Sequence, residues 1–230
     1  ATEVLFPDGS FGLVEDLYHH NPVAHAMNQV VAESVIACIR NRRGEAPVRI
    51  LEVGAGTGGT SAVVLARLEP YRDAVAEYCY TDISRAFLLH AERIFGGRYP
   101  FLTYRAFDVA APIAAQDIEA GSYDIVIAAN VLHATPNIRR AMRHAKAVLK
   151  KNGVLVLNEL RGKSIRTHLT FGLLDGWWSY DDDELRVPGS PALQPATWRA
   201  LLEEEGFGSI QFPATEAHDA GLQIVVAQSD

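Results

Sequence analysis

Cysteine is almost missing from this 230-residue chain. Only Cys38 and Cys79 occur, far apart, which excludes a disulfide framework and any cysteine-based metal spacing. Cys38 falls in an apolar helical pattern and Cys79 in a strand pattern, so both are expected as buried, reduced thiols. Long apolar runs are lacking too. None approaches the roughly 18 residues that a bilayer-crossing helix needs, and no signal peptide opens the sequence. Cationic clusters are scarce: 21 Lys and Arg stand against 28 Asp and Glu, a net charge of −7. The basic runs Arg40-Asn41-Arg42-Arg43 and Arg139-Arg140 are short, so the footprint that nucleic-acid binding requires is not there. Internal repeats, low-complexity tracts and His or Cys clusters suited to a metal are absent as well. A cytoplasmic location is the default expectation, without membrane or nucleic-acid partners. The start at Ala1 rather than Met suggests processing, or a domain cut from a longer protein.

What is present is a well-supplied core, 48% of residues being apolar. The pattern over Phe11 to Arg43 is helical, with Val23, Met27, Val30, Val31, Ser34, Val35 and Cys38 at three-to-four spacing until Gly44 and Pro47 close it. From residue 48 the period changes. Strands are predicted at Val48–Val53, Glu77–Asp82, Leu102–Phe107, from Tyr123 through Ile127, and at Gly153–Asn158. Helices fall between them at Thr60–Leu68, Ser84–Phe95 and Arg139–Leu149. Such alternation argues for an α/β fold with a doubly wound, mostly parallel sheet. The tail differs: a helix over Thr197–Glu205 ended by Gly206, then strands at Ser209–Phe212 and Leu222–Ala227, predicted to pair as an antiparallel hairpin at the sheet edge. Residues 1–47 are expected to form an N-terminal helical lid segment and residues 48–230 the core. An insertion of about 161–195 has the length of a binding loop. Its acidic run Asp181-Asp182-Asp183-Glu184 is expected to be a solvated helix start.

The turn after the first strand, Glu52-Val53-Gly54-Ala55-Gly56-Thr57-Gly58-Gly59, satisfies G-x-G-x-x-G through Gly54, Gly56 and Gly59. Glycines there allow a ligand close to the backbone, and the missing Lys argues against a triphosphate. A nicotinamide dinucleotide remains a competitor on the glycines alone. The acids separate it from S-adenosylmethionine. Glu52 before the glycines would repel a pyrophosphate but suits an ammonium. Asp82, ending strand two, is placed to accept from ribose hydroxyls. Asp108 after strand three can accept from an adenine amino group, with Phe107 or its neighbours flanking the ring. Ligands of open α/β sheets bind outside the carboxyl ends of the strands, where all of these fall. Asn130, leaving strand four, is suited either to the cofactor and reacting region or to a strand-end turn. Taken singly, the acids read equally well as solvated loop residues; their joint order is what points to a site.

With those residues in view, the chain resembles the class I S-adenosylmethionine-dependent methyltransferases over residues 48–160 and on to the C-terminal strand pair. That resemblance implies a seven-stranded sheet and S-adenosylmethionine as cofactor, with Glu52, Gly54, Gly56, Gly58, Asp82, Phe107, Asp108 and Asn130 as its contacts. The stretches "LYHHNP", "AEYCYTDIS", "FLLHAE", "ANVLHAT", "LKKNGVLVLNE" and "HLTFGLLDGWW" look like the C-methyltransferase domains of modular polyketide synthases, particularly those with separately encoded acyltransferases. In that resemblance the acceptor is the α-carbon of a β-ketoacyl thioester on an acyl carrier protein, within a synthase of neighbouring domains. The family's catalytic His and Glu fall on His133 and Glu159. An α-proton between a ketone and a thioester is acidic enough for a positioned neutral imidazole. Tyr18, Trp177 and Trp178 are candidate substrate contacts, though packing explains each as well; His168 is a weaker candidate, and His25, His90 and His144 look like surface or satisfied core residues. Two other functions stay open: O-methylation of a β-hydroxyl or enol by the same base, and an inactive module that only binds the cofactor.

Overall fold

The computed structural model describes residues 21–42 and 46–230. Seven strands form one sheet: β1 (Val48–Val53), β2 (Val75–Asp82), β3 (Leu102–Ala106), β4 (Tyr123–Ala129), β5 (Leu149–Leu160), β6 (Phe207–Gln211) and β7 (Leu222–Ser229), in the order β3-β2-β1-β4-β5-β7-β6. Helices α1 (Pro22–Asn41), α2 (Gly59–Leu68), α3 (Arg85–Phe95), α4 (Ile138–Val148), α5 (Ile165–Thr170) and α6 (Pro195–Glu204) supply the layers and the insertion. Pairing among β1 to β5 is parallel, and β7 runs antiparallel to both β5 and β6. The expected fold class is therefore the observed one.

Alternation along β1 explains the two layers. Leu51 and Val53 join a cluster with Phe107, Val126, Met142 and Trp198, while Val48 and Ile50 face Met27, Val31, Val64 and Leu65 of α1 and α2. By the same period of two, Glu52 points into the α1–α2 layer. Helix α1 is capped by Asn21, whose side chain accepts from the Val23 amide at 3.1 Å, and Pro22 sits where its missing N–H costs nothing. The stretch 11–20 of the helix expected from Phe11 lies outside the described residues.

The expected antiparallel pair lies at the sheet edge, with β7 beside β5 and β6 outermost, and the connection between them carries a 3-10 turn over Thr215–Ala220. The apolar run of β7 is two-sided, with Ile224, Val225 and Ala227 all buried, which fits a covered strand. The acidic run opens a short 3-10 helix, Asp183–Leu185, with Asp181, Asp183 and Glu184 exposed as expected; Asp182 departs from that expectation. Asp182 is buried against Arg186, and its Oδ2 accepts from the Ile138 amide at 2.6 Å, adding a cap to α4 beside that of Asn137. No helix among the described residues is long and apolar enough to cross a membrane, and none of them form a His, Cys, Asp and Glu group able to hold a metal.

Candidate active site

Two cavities open at the carboxyl edge of the sheet. The first, about 210 Å³, lies between the glycine turn and α1, with walls from Gly54, Gly56, Thr60, Asn28, Asn130 and Asn158. Gly54 has φ +57°, and a Cβ there would come within 2.7 Å of Val131 Cγ2. Gly56 has φ +59°, and its Cβ would meet only the Gly54 carbonyl, at 3.9 Å, so the backbone lies open to a ligand. The polar atoms here are acceptor-rich. Asn28 Oδ1 accepts from Thr60 Oγ1 at 3.0 Å, and Asn158 Oδ1 is buried without a partner. Among the described residues no Lys or Arg lines this cavity, and such a lining suits a cationic ligand better than a pyrophosphate.

The expected cofactor residues are distributed unevenly around it. Gly54, Gly56 and Asn130 line the wall. Gly58 shapes the turn from behind, with φ +83° and its Cβ direction blocked by Phe95. Asp82 braces the turn, its Oδ2 accepting from the Gly56 amide at 3.0 Å and Oδ1 from Ser84 at 2.7 Å. Burial raises the Asp82 carboxyl above its usual range, against the lowering effect of those amides. Glu52 lies beneath the turn, accepting from Ser61 Oγ at 2.5 Å and Tyr78 OH at 2.7 Å. Desolvation pushes its carboxyl up to about 7, despite both hydroxyls. Phe107 packs in the core below β3, and Asp108 is exposed, its Oδ1 accepting from the Ala110 amide. The structure does not bring Glu52, Phe107 or Asp108 to the cavity wall.

The second cavity, about 340 Å³, is mostly apolar, with Val23, Ala134, Leu160, Phe171, Trp177 and Leu222 among its lining residues and His133 in its wall. Register explains how His133 meets its partner. In the β4–β5 pair, Ala129 faces Asn158, and the Asn130 amide donates to the Asn158 carbonyl at 2.7 Å. Glu159 therefore stands one step past the end of β4. Its Oε1 accepts from the Val131 and Leu132 amides at 3.1 and 2.8 Å, and its Oε2 lies 2.5 Å from His133 Nδ1. Glu159 is fully buried and His133 is 5% exposed. Asn130, at φ +57°, belongs to both cavities. Asn tolerates that left-handed conformation better than other side-chain-bearing residues, so the strand-end turn and the site role coincide in it.

The two tryptophans separate. Trp177 is buried, stacks on Phe171 at 6.1 Å and meets His133 edge-on at 5.7 Å. Trp178 is 46% exposed, and its indole donates to the Gly172 carbonyl. His168 is held on the insertion, its ring nitrogens at 2.7 and 3.0 Å from the Ser164 and Gly189 carbonyls. Tyr18 lies outside the described residues. Asn28, Asn158 and Arg186 are site residues that the sequence does not single out. An Asn in the middle of a buried strand is the available signal for Asn158; Asn28 and Arg186 offer none, since each looks like an ordinary polar residue beside an apolar one.

A parallel sheet with one reversed strand near its edge, a glycine turn after β1 and a strand-end Asp and Asn make up the class I methyltransferase fold, and the methyltransferase domain family matches residues 51–155. S-adenosylmethionine is the cofactor of this fold, and the acceptor-lined, Lys- and Arg-free first cavity fits it. More narrowly, the chain is 55% identical over its whole length to polyketide synthase PksM of Bacillus subtilis, of which it spans 6%. It superposes on the DszA carbon methyltransferase with a TM-score of 0.91 at 41% identity, covering all of this chain and 60% of that one. The trans-methyltransferase CalH, solved in complex with SAH, aligns with a TM-score of 0.77 at 31% identity, over 99% of this chain and 61% of that one. It is thus a methyltransferase domain similar to those of polyketide synthases, corresponding to one part of each relative.

Proposed function

We propose that this domain methylates the α-carbon of a β-ketoacyl thioester carried on an acyl carrier protein, inside a cytoplasmic polyketide synthase whose neighbouring domains deliver the carrier. In that reading residues 48–230 are the transferase core and residues 1–47 its lid segment. The observation that carries it is the 2.5 Å His133–Glu159 contact in an apolar cavity that shares Asn130 with the glycine-turn cavity. S-adenosylmethionine, when bound, supplies an electrophilic methyl group on a sulfonium. With Nδ1 committed to Glu159, His133 presents Nε2 as general base. The α C–H bond breaks, its proton goes to Nε2, and its electron pair forms the enolate whose carbon is alkylated. Glu159 offsets the charge gained by the imidazolium, while its other oxygen stays fixed by the Val131 and Leu132 amides. Trp177, Phe171 and Leu160 form the acyl wall and exclude water, which preserves the enolate. Asn130 would orient the reacting region, and Gly54, Gly56, Asn28 and Asn158 would hold the cofactor.

Incubation with S-adenosylmethionine and either a β-ketoacyl or a β-hydroxyacyl carrier protein, with the methyl located by tandem mass spectrometry, tests this. Methyl on the α-carbon of the keto substrate is expected. Methyl on oxygen alone would replace the reading with an O-methyltransferase, and none on either substrate would leave only cofactor binding.

A further inference from the structure

The turn that carries His133 is a three-residue 3-10 segment, Leu132–Ala134, closed by two backbone bonds, from the Ala134 amide to the Val131 carbonyl and from the Thr135 amide to the Leu132 carbonyl. Its N–H side is held by Glu159. Its carbonyl side is held by a group from the insertion, 53 residues further along. Arg186 has a side chain only 1% exposed. Its Nη1 donates to the His133 carbonyl at 2.8 Å and to the Pro191 carbonyl at 2.9 Å, and its Nη2 to the Thr135 carbonyl at 3.1 Å. Nε donates to Asp182 Oδ1 at 2.6 Å, and the Tyr180 ring covers the guanidinium, its centroid 5.0 Å away. Asp182 in turn caps α4 at Ile138, and the Asp181 amide donates to the Pro136 carbonyl at 2.8 Å.

We propose that Arg186 is a positioning residue for His133, clamping the carbonyl side of its turn so that the imidazole keeps its alignment with Glu159. This rests on His133 being the base. A buried guanidinium is costly unless its donors are used, and here Asp182 and three backbone carbonyls supply the partners. Two of those carbonyls belong to the turn and its C-cap, at His133 and Thr135, so the fork grips the segment on which the base rides. A Lys would keep the charge and reach Asp182, but one ammonium has no planar fork to span carbonyls on separate residues. The insertion thereby does two jobs: Trp177 and Phe171 wall the cavity, and Arg186 sets the angle at which His133 meets it.

The test is Arg186→Lys in this domain. Misplacement of a reacting group by an ångström or less costs up to about a hundredfold in rate. The expected result is a fall in kcat of about ten- to a hundredfold, with KM for the carrier-bound acceptor within about twofold. A second readout needs no substrate: the low-field proton of His133 Nδ1, identified by its loss in His133→Ala, should shift or broaden. If kcat falls only with the folded fraction and that resonance stays put, Arg186 merely stabilises the fold and the proposal is overturned. Should Arg186→Lys not fold, the isosteric Asp182→Asn, which keeps an acceptor at Nε, is followed by the same two measurements: a shifted resonance with lowered kcat supports the clamp, and an unmoved resonance overturns it. A wild-type domain inactive on every acceptor would defeat the functional reading alone, because the resonance still decides the role of Arg186.

Discussion

The two cavities at the carboxyl edge of the sheet are built by opposite means. The one at the glycine turn is made largely of backbone and of groups that satisfy one another within the core: Asp82 on the Gly56 amide, Glu52 on Ser61 and Tyr78, Thr60 on Asn28. The one beside His133 is made of side chains drawn from α1, the β4 turn, the insertion and the start of β7. The second can be reshaped by changing an insertion that the sheet does not need. On the proposed reading, the first takes the cofactor and the second sets acceptor selectivity.

That contrast breaks most sharply at His133. His133→Ala should lower kcat by about 10²- to 10⁴-fold while the cofactor Kd, measured calorimetrically, stays within about twofold. A comparable loss in cofactor affinity would mean the two cavities are not separable. Next comes the reverse experiment, Gly54→Ala. A Cβ at φ +57° and 2.7 Å from Val131 is strained by about 1–3 kcal/mol and should weaken the cofactor about tenfold. Because Val131 also donates to Glu159, some loss of kcat at saturating cofactor is expected as well, and its absence would show that the turn absorbs the clash. Within the acceptor side, Trp177→Phe should lower kcat/KM for the acyl carrier about tenfold, whereas Trp178→Phe should stay within about twofold. Equal effects would remove the distinction drawn from their exposure.

The smallest effect on the reaction is expected at Glu52, where the readout is stability. Burial lifts its carboxyl from 4.5 to about 7, so over that window the folded protein holds a proton that the unfolded chain has released. Its contribution is full below pH 4.5 and is lost as pH rises through about 7. Glu52→Gln keeps an acceptor for Ser61 and Tyr78 and removes the titration. Denaturant unfolding of both proteins at about pH 5 and about pH 8 should show the wild type losing ground to the variant as pH rises. Parallel pH dependence would place the Glu52 proton elsewhere.

The same division governs what is legible in the sequence. Strands β1 to β5 and the helices between them announce themselves by period, and the glycine turn by residue type, because local backbone needs dictate both. His133 and Glu159 are 26 residues apart, and only the parallel register of β4 and β5 makes them neighbours; family resemblance, not spacing, is what pairs them in the sequence. Glu52, Phe107 and Asp108 show the limit of that route. The motif fixes which strand end they occupy, but the alternation of side chains sends Glu52 under α2, and local packing turns Phe107 into the core. Asp182 and Arg186 are hidden for a different reason: four consecutive acids look solvated until the fold places one against a buried guanidinium and a helix N-terminus. The C-terminal pair is legible as an edge hairpin, but which of its strands lies inside is not, because pairing order is a tertiary choice that two short strands do not encode.

Asn130 gives the arrangement a consequence of its own. In its left-handed conformation this residue lines both cavities, together with Ala24 and Phe171. Neither cavity can be enlarged from that side without shrinking or breaching the other. On the proposed reading, room for bulkier acyl chains is made outward, where Leu174 of the insertion and Ala220 of the β6–β7 connection line the second cavity.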